Sequence, residues 1–533
     1  MTEPPKTIGV IGAGTMGAGI AQLACLQAGA RTMLHDPIPE ALERGTNAIR
    51  GQLARGATRG RWTEDEAKQA DERLTPVASL TDLADAELVI EAAPESLELK
   101  QNLFAQLEDG IIGDTTVLAT NTSSLLVTSV ASNLVRPERV VGMHFFNPPP
   151  LMALLEVVAG TDSSDAALAT ARAAGEAMGK RVIDAVDGPG FLVNRCNRPW
   201  GVEALKLLAE RVAPLETIDR IMRQAGGFRM GPFELMDLVG VDVGLAVSRS
   251  FYEQSFGEPR WQPSPITVKT VAAGRLGRKS KRGYYDYRDG TDAYRPADPD
   301  PPTPAPGDGV VVIAGDTPLA AELEAAATDA GWTAITPIEA PDAEAPFLIV
   351  DASLGEDVGA PLQGGPQAIL TAAGSLASLD PGGGAVGFHT LPPLTASHLI
   401  ELTRGPETPA ATASAAERFF TSLGKHVTYV EDAPGLVLGR IVCQIINECA
   451  FALGEGVGSA ADIDTGMVYG MNHPRGPLHW ADQIGIDHVL AVLDALYEER
   501  REERYRLAPA LRNLALAGRL GRQTGEGFFS YDS

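Results

Sequence analysis

A histidine and a glutamate stand twelve residues apart in the first half of the chain. His144 lies in a short apolar segment, residues 140–146, and Glu156 lies in a second one, residues 154–158. If these segments pair as neighbouring strands, the carboxylate can reach the imidazole and fix its tautomer. A histidine held in this way can act as an acid/base on a hydroxyl group, since its ordinary pKa is near ~6.5. The alternative is a His–Glu pair with a purely structural role.

A glycine-rich turn follows the first strand-like segment of the chain. Residues 6–11 are apolar and β-branched, the turn reads Gly12-Ala-Gly-Thr-Met-Gly17, and an apolar-periodic helix continues to about Gln27. In this context the first glycine permits a tight turn, the second lets a pyrophosphate approach the backbone, and the third lets helix and strand pack closely. The helix N-terminus favours an anion. The pattern predicts a dinucleotide site, and a glycine turn without a ligand is the alternative.

An acidic residue follows the second strand-like segment. Residues 31–35 end at Asp36, about 20 positions after the glycine turn, where a carboxylate can accept hydrogen bonds from a ribose 2′-hydroxyl. Its charge would repel a 2′-phosphate, and neither Arg nor Lys follows it immediately. The sequence therefore favours NAD over NADP.

Strand and helix patterns alternate up to about Gly190 and then become all-helical. Further strands are predicted near 88–92, 116–120 and 140–144, and helices near 38–57, 97–108 and 165–179. This alternation predicts a doubly wound α/β sheet, whose ligands bind at the carboxyl ends of the strands. The helical part is predicted over 190–212, with a kink at Pro199, and over 216–224 and 235–254.

The chain contains a tandem duplication. His144 and His389 are 245 positions apart (389 minus 144), and Glu156 and Glu401 keep the same offset. Asp187-Gly-Pro-Gly and Asp432-Ala-Pro-Gly keep it as well. Chance does not maintain one offset over such a length, so the second half is a copy of the first.

The duplication divides the chain into four domains and a linker. We predict a dinucleotide-binding α/β domain over 1–187, a helical domain over 188–290, a proline-rich linker over 291–309, a reduced α/β domain over 310–431 and a second helical domain over 432–533. The second copy has lost about 58 residues before its histidine. It has no G-x-G-x-x-G turn, and our alignment places Gly374 at Ser123, Pro392 at Asn147 and Gly439 at Asn194. We therefore predict that the second copy is structural.

Composition excludes several classes of protein. The net charge of −25 and the pI near 4.8 argue against nucleic-acid binding, because phosphate backbones attract basic surfaces. Four cysteines give neither a disulfide framework nor metal-ligand spacing, so we predict no metal. We expect no membrane association, since no apolar run reaches the ~18 residues of a transmembrane helix. With no secretory signal visible, the predicted location is the cytoplasm.

Taken together in chain order, five motifs resemble the L-3-hydroxyacyl-CoA dehydrogenases. They are the glycine turn Gly12–Gly17, Asn121-Thr-Ser-Ser124, His144-Phe-Phe-Asn-Pro148, Leu155-Glu-Val157 and Asp187-Gly-Pro-Gly-Phe-Leu-Val-Asn-Arg195. The tandem form is similar to the long 3-hydroxybutyryl-CoA or 3-hydroxyadipyl-CoA type. The resemblance implies a Rossmann domain with a helical domain and NAD-dependent oxidation of a 3-hydroxyacyl-CoA, in fatty-acid β-oxidation or phenylacetate catabolism.

The resemblance also assigns roles to residues. His144 would be the acid/base and Glu156 its partner, while Ser123 and Asn194 would contact the substrate oxygens. Arg59 would contact CoA and belongs to a local arginine cluster, although Gln52 departs from the family pattern. The arginine cluster consists of Arg50, Arg55, Arg59 and Arg61. The implied cofactor-binding residues are Gly12, Gly14, Thr15, Met16, Gly17, Asp36, Glu95, Lys100, Asn147 and Lys279.

Structural alternatives exist for several of these residues. Ser123 could belong to the cap of a helix beginning near Ser124. Glu95 and Lys100 could be solvent-exposed charges at the start of a helix, and the arginine cluster could be a solvated helix face.

Three functions compete at this point. Besides the 3-hydroxyacyl-CoA dehydrogenase, NAD- or NADP-linked, the chain could be a sugar-acid or β-hydroxyacid dehydrogenase, or a nucleotide-binding protein without catalysis. The acyl chain stays open, with Arg195 and Arg198 as conceivable contacts for a distal carboxylate. We expect the two helical domains to pair within one molecule, although a homodimer is also possible.

Overall fold

The computed structural model describes residues 2–291, 293–300, 302–337, 346–355 and 365–531. The chain divides into two compact units, one of residues 1–195 with 456–471 and the other of residues 196–455 with 472–533. The first unit thus includes a short segment from the second copy. Within the described ranges, no helix combines the length and apolar character needed to cross a membrane.

Fifteen strands occur among the described residues, and most are apolar and buried, as expected of parallel strands that are covered on both faces. They are β1 (Thr7–Ile11), β2 (Arg31–His35), β3 (Leu74–Val77), β4 (Leu88–Glu91), β5 (Val117–Thr120), β6 (Val140–Phe145), β7 (Leu154–Ala159), β8 (Arg181–Val186), β9 (Val310–Ala314), β10 (Thr333–Ile335), β11 (Leu348–Asp351), β12 (Gln367–Leu370), β13 (Val386–His389), β14 (Leu399–Arg404) and β15 (His426–Tyr429).

Twenty α-helices occur in the same part of the chain. They are α1 (Thr15–Leu26), α2 (Pro39–Thr58), α3 (Glu64–Arg73), α4 (Leu97–Glu108), α5 (Val127–Ala131), α6 (Asp165–Ala177), α7 (Val193–Cys196), α8 (Arg198–Glu210), α9 (Leu215–Gln224), α10 (Pro232–Val239), α11 (Val241–Gln254), α12 (Pro265–Ala272), α13 (Pro318–Asp329), α14 (Leu376–Leu379), α15 (Ala410–Ser422), α16 (Leu438–Gly454), α17 (Ala460–Met471), α18 (Pro477–Ile484), α19 (Ile486–Arg500) and α20 (Pro509–Leu516).

The first unit is built on an eight-stranded sheet of order β3-β2-β1-β4-β5-β6-β7-β8. All neighbours run parallel except β6 and β7, which are antiparallel. A buried apolar core packs α1 and α6 against these strands. The doubly wound α/β fold predicted from the sequence is confirmed, and it collects the carboxyl ends of β1, β4, β5 and β6 at one edge.

The helical part differs from the prediction at two places. The helix predicted over 235–254 is wrong as a single element, because α10 and α11 meet at Gly240, whose φ of +108° no helix adopts. The stretch predicted over 190–212 is two helices, and Pro199 stands near the start of α8 rather than at a kink. Proline is tolerated there because the first amides of a helix lack intrahelical acceptors.

Charged residues tie the segment before the second copy to the first helical domain. The carboxylate of Asp298 lies 2.8 Å from Arg223, and Arg295 contacts Glu234 at 2.5 Å. Residues 292 and 301 of the predicted linker lie outside the described residues. The described part of this segment is therefore held by ion pairs and is more than a spacer.

The second sheet repeats the first with fewer strands. Its order is β10-β9-β11-β12-β13-β14-β15, again with one antiparallel pair, β13 and β14. Residues 36–87 separate β2 from β4, whereas only residues 336–347 separate the corresponding β10 and β11. Most of the shortening, 40 of the about 58 residues (52 minus 12), thus falls in the stretch that carries the arginine cluster in the first copy.

Helices α8 and α16, one from each copy, pack against each other within the second unit. Arg440 of α16 is buried, and its guanidinium contacts Glu203 at 3.0 Å and Glu210 at 2.7 Å. The counterpart of Glu203 at the 245-residue offset is Glu448, which lies 2.7 Å from Arg260. Buried charges from both copies therefore meet across these helices.

Candidate active site

The glycine turn has the close contacts that its sequence pattern implies. Gly12 has a φ of +100°, and a Cβ atom there would lie 2.5 Å from the carbonyl oxygen of Ala92. A Cβ at Gly17 would lie 1.7 Å from the carbonyl oxygen of Gly12, whereas one at Gly14 would meet nothing within 4 Å. The first and third glycines are required by packing, and the second faces open space.

Asp36 is held beside this turn. Its carboxylate accepts hydrogen bonds from the amides of Ala13 (2.9 Å) and Ile38 (3.0 Å). Thr15 and Met16 form the first turn of α1, whose amides point to the same end of the sheet. Open space over Gly14, a helix N-terminus and a fixed carboxylate fit the pyrophosphate and the ribose of NAD.

Glu95 organises the loop after β5. Its Oε1 accepts hydrogen bonds from Thr122 Oγ1 (2.5 Å), from the amides of Ser123 (3.0 Å) and Ser124 (3.1 Å), and from the Ser124 hydroxyl (2.9 Å). Burial opposes its ionisation, but the Thr122 hydroxyl and the Lys100 charge together hold the pKa of Glu95 below its ordinary value. Ser123, an exposed residue of this loop, is thereby fixed in place.

Lys100 is buried, so the alternative of a solvent-exposed charge was wrong for this residue. Its ammonium group lies 2.7 Å from Glu91 and 3.4 Å from Glu95. Glu91, the last residue of β4, also accepts a hydrogen bond from the Thr120 hydroxyl at the end of β5 (2.7 Å). These charges join two strand ends to the Ser123 loop.

His144 and Glu156 stand directly opposite each other on the antiparallel strands β6 and β7. Imidazole Nδ1 lies 2.5 Å from carboxylate Oε2, and both side chains are buried. The rings of Phe146 and Phe191 pack against the imidazole, with centroids at 4.7 and 5.7 Å. The strand pairing on which the sequence argument depended is therefore present.

The other oxygen of Glu156 holds the segment that leads to Asn194. Glu156 Oε1 accepts hydrogen bonds from the amides of Leu192 (3.2 Å) and Val193 (2.9 Å). Asn194 is the next residue, in the short helix α7. One carboxylate thus orients the imidazole and positions the backbone before Asn194.

The loop carrying Ser123 is also tied to the histidine strand. Asn121 Oδ1 accepts a hydrogen bond from the amide of Phe145 (2.9 Å), which follows His144 directly. The suggested cap of a helix at Ser124 is not what forms, because α5 begins at Val127. The first amides of α5, those of Val127 and Thr128, donate instead to Asp187, at 3.0 and 2.8 Å.

A buried lysine that sequence reasoning missed holds the loop that begins at Asn147. Lys180 Nζ donates to the carbonyl oxygens of Pro149 (2.5 Å) and Met152 (2.7 Å). Burial lowers the pKa of Lys180 to about 8. The duplication contained the signal, since Lys425 stands at the 245-residue offset and donates to two carbonyl groups of the corresponding loop.

Arg59 and Lys279, the two remaining residues implied by the resemblance, lie outside the loops described above. Arg59 is exposed at the end of α2, while Arg50 of the same cluster pairs with Asp71 at 2.7 Å. Lys279 belongs to the second unit, where its ammonium group lies 2.6 Å from Asp242.

The second copy keeps the strand pairing but not the side-chain contact. His389 stands opposite Glu401, yet its Nε2 lies 3.4 Å from Nε2 of His488. Its Nδ1 has no hydrogen-bond partner among the described residues. Burial, with a further contribution from His488, holds the pKa of His389 well below its ordinary value, and burial raises the pKa of Glu401 to about 8.

Other residues of the second copy are also changed. A Cβ atom at Gly439 would lie 2.2 Å from the His389 ring, so an asparagine like Asn194 does not fit there. The alignment of Gly374 with Ser123 is corrected to an offset of 249. Strand pairing gives this offset, because Ala368 in the second sheet stands where Ala119 stands in the first. The helix starts agree, since the amide of Leu376 donates to Asp432 as the amide of Val127 donates to Asp187. That offset places buried Ala372 at the position of Ser123, again without a hydroxyl group.

The sheet, the glycine turn and the buried His–Glu pair define a dinucleotide-dependent dehydrogenase with a Rossmann domain and a helical domain. Residues 7–188 match the family model described as "3-hydroxyacyl-CoA dehydrogenase, NAD binding domain". Residues 190–287 and 435–531 both match "3-hydroxyacyl-CoA dehydrogenase, C-terminal domain". The chain belongs to the 3-hydroxyacyl-CoA dehydrogenase family, binds NAD, and contains a second, reduced copy of the fold.

Two kinds of relative are found. The chain is 36% identical to the 3-hydroxyadipyl-CoA dehydrogenase of Escherichia coli K12 over 96% of its own length and 98% of that protein. It is 41% identical to a probable 3-hydroxybutyryl-CoA dehydrogenase of Bacillus subtilis over 54% of its length and 99% of that protein. A crystal structure of 3-hydroxybutyryl-CoA dehydrogenase from E. coli K12 covers 96% of the chain with a TM-score of 0.81 and 34% identity.

Proposed function

We propose that the chain oxidises an L-3-hydroxyacyl-CoA to the 3-oxoacyl-CoA with NAD, using a single active site in the first copy. The observation that carries the proposal is the buried contact between His144 Nδ1 and Glu156 Oε2 at 2.5 Å. With Nδ1 engaged, Nε2 is the ring nitrogen that we assign to proton exchange with the substrate hydroxyl.

His144 and Glu156 have separate tasks in this reaction. The substrate hydroxyl gives its proton to His144 as the hydride leaves C3, and bound NAD supplies the hydride acceptor. The Glu156 carboxylate stabilises the imidazolium that forms. Two backbone amides already hold the other oxygen of this carboxylate, so it needs little reorganisation during the reaction. In the reverse direction His144 returns the proton.

The remaining roles are proposals of the same kind. Ser123 and Asn194 contact the substrate oxygens, and their loops are fixed by Glu95 and Glu156. Arg59 contacts CoA, as an exposed cation can. The cofactor is held by Gly12, Gly14, Thr15, Met16, Gly17, Asp36, Glu95, Lys100, Asn147 and Lys279.

For the acyl chain we propose a dicarboxylic group such as 3-hydroxyadipyl, with 3-hydroxybutyryl as the alternative. Matches that cover 96% of the chain include a relative with the first of these acyl groups in its name, and a solved structure with the second in its title. Arg198 is largely buried, and its guanidinium stacks on Phe251 and donates to the Ser248 hydroxyl. No carboxylate pairs with it among the described residues. Burial without a countercharge lowers the pKa of Arg198 to about 10, and a distal carboxylate would supply that countercharge.

Replacing Arg198 with Met tests the acyl assignment. We expect kcat/KM for 3-hydroxyadipyl-CoA to fall by about tenfold or more, in line with the loss of a charge-assisted hydrogen bond, and kcat/KM for 3-hydroxybutyryl-CoA to stay near the wild-type value. Equal losses for both substrates would contradict the assignment.

We also propose that the second copy acts as a structural partner of the first, and we keep the predicted four-domain division as part of this proposal. Contacts of α16 with the first helical domain, namely Arg440 with Glu203 of α8 and Glu448 with Arg260, support such pairing. A probable 3-hydroxybutyryl-CoA dehydrogenase is matched over 99% of its own length by 54% of this chain, which supports a complete site within a single copy.

The reaction class is tested by NADH formation. We expect turnover with 3-hydroxybutyryl-CoA or 3-hydroxyadipyl-CoA, and little with free 3-hydroxybutyrate or gulonate. The same assay with NADP should give less product, because Asp36 would repel a 2′-phosphate. Activity on the free acids but not on the thioesters would overturn the proposal. As a further part of the proposal, we place this reaction in the cytoplasmic breakdown of fatty-acid or phenylacetate-derived acyl-CoA.

A further inference from the structure

Helix α17 belongs to the second copy by sequence, yet it packs on β7 and β8 of the first sheet, in the same compact unit. The amide of Val186 at the end of β8 donates to the carbonyl oxygen of Val457, just before the helix (3.0 Å). At the other end, the guanidinium of Arg181 lies 4.3 Å from the ring centre of Tyr469. The helix is therefore attached along the full length of β8.

Glycines allow this helix to approach the strands and the segment beside the His–Glu pair. A Cβ at Gly458 would lie 2.6 Å from the Leu192 side chain, and one at Gly466 would lie 2.6 Å from the Val193 side chain. A Cβ at Gly470 would lie 3.3 Å from the ring of Phe146. These distances leave no room for even one methyl group without movement of a neighbour.

The residues touched by α17 are those that hold the pair. Leu192 and Val193 donate their amides to Glu156, and the ring of Phe146 packs on His144. Val193 is β-branched and has few rotamers, so a new neighbour favours a shift of its backbone over a change of side-chain rotamer. Any such movement would be transmitted to Glu156.

The second unit contains the converse arrangement, in which a helix of the first copy packs on a strand of the second copy. That helix lacks the glycines that allow the close approach of α17. Helix α9 of the first copy packs on β14, and the amide of Glu431 donates to the carbonyl oxygen of Val212 (2.8 Å), as Val186 donates to Val457. At the positions of the three glycines, the first copy carries Ala213 before α9, Ile221 within it and Ala225 directly after it. The close approach is therefore confined to the helix that lies beside the functional pair.

We propose that α17 is a positioning element for His144 and Glu156, so that the second copy completes the catalytic unit of the first. The proposal rests on the function proposed above. It assigns no chemistry to α17, which acts through Val193, Leu192 and Phe146. The second copy then has no active site of its own, but it is necessary for the geometry of the active site in the first copy.

Gly466→Ala in the full-length chain tests this directly. Alanine has a higher helix propensity than glycine, by about 1 kcal/mol, but its methyl group also meets Val193, so a change of stability would not by itself support the proposal. We expect that kcat falls by about tenfold, since a displacement of ~1 Å near the reacting groups can cost ~100-fold. KM for NAD should stay within about twofold, because the glycine turn lies at β1. The acid limb of the pH–rate profile should also move, which loss of folded protein alone would not cause.

The matched control is Gly454→Ala at the end of α16. A Cβ at Gly454 would have Ala510 at 3.8 Å as its nearest neighbour, so the methyl group fits. We expect wild-type kcat and pH profile for this variant. If Gly466→Ala does not fold, Gly470→Ala replaces it, because the nearest atom there is the flexible end of the Leu154 side chain at 2.6 Å. A smaller loss of kcat with the same change of pH profile is then expected.

The outcomes separate this inference from the proposed function. A wild-type chain that does not oxidise 3-hydroxyacyl-CoA would reject the proposed function. An active wild type with a folded Gly466→Ala variant, or its Gly470→Ala replacement, of unchanged kcat and pH profile would overturn the role of α17 alone.

Discussion

At the scale of single residues, the two copies offer a matched pair of carboxylates. Glu156 contacts an imidazole, whereas Glu401 accepts hydrogen bonds from two backbone amides, those of Val437 and Leu438. We expect Glu156→Gln to lower kcat by about 10²-fold or more, because an amide cannot stabilise an imidazolium in the same way. Glu401→Gln should leave kcat near the wild-type value. Steady-state NADH formation by both variants measures this, and a comparable loss in the two would contradict it.

The burial of Glu401 also predicts that the stability of the folded chain depends on pH. Its pKa rises from 4.5 to about 8 on folding because the carboxyl group is buried. The folded chain therefore binds this proton more tightly than the unfolded chain, and the contribution is fully present below pH 4.5 and lost as pH rises through about 8. Glu401→Gln should flatten that part of the profile. Urea titrations from pH 5 to 8.5 measure it, and an unchanged slope of stability against pH would refute the assignment.

Sequence reasoning reached some site residues and missed others for a physical reason. The spacing of His144 and Glu156 was readable because neighbouring antiparallel strands place i and j opposite each other. Lys180 and the multiple contacts of Glu95 were not readable as positioning devices, because they join loops that are distant in sequence. A buried cation that binds backbone carbonyls leaves no local motif, and only the recurrence of a lysine at position 425 marks it in this sequence.

At the scale of elements, the loop after β6 gives a second comparison between the copies. Lys180→Met removes the donor that holds the carbonyls of Pro149 and Met152, so the loop that begins at Asn147 should loosen. We expect a several-fold rise in KM for NAD with a smaller change in kcat. A several-fold rise corresponds to roughly 1 kcal/mol, which is less than the ~1.5–3 kcal/mol of a charge-assisted hydrogen bond because Lys180 acts only through the loop.

Lys425→Met is the control for that prediction. It removes the same two hydrogen bonds, to Leu394 and Ser397, from the second copy. The variant should lose stability but keep the wild-type KM for NAD. A rise in KM in both variants would show that the effect is one of general destabilisation.

The elements themselves were predictable where hydrophobic pattern and turn chemistry agreed. The strands and glycine turn of the first sheet follow from continuous apolar runs ending in glycine or polar residues. The break at Gly240 was not readable, because a glycine between two apolar helical patterns gives no sign of its positive φ. Strand β3, which contains Pro76, carries too weak a pattern to be distinguished from a loop.

At the scale of the whole molecule, the duplication explains the length of the chain without a second activity. A chain ending near residue 290 would lack α16 and α17, and would expose the face of α8 that now meets Arg440. We expect such a chain to be unstable or to form a homodimer, in which the partner supplies the missing helices. Light scattering and NADH formation on the purified fragment measure this. A stable monomer with full activity would contradict the structural role of the second copy.

The central claim is that one active site, built on His144, performs the reaction while His389 takes no part. The most direct measurement is NADH formation from 3-hydroxybutyryl-CoA by His144→Ala and His389→Ala, with the folded fraction of each checked by circular dichroism. We predict a loss of about 10²–10⁴-fold in kcat for His144→Ala and a rate near that of the wild type for His389→Ala. Equal losses in the two variants, or a larger loss for His389→Ala, would contradict the account.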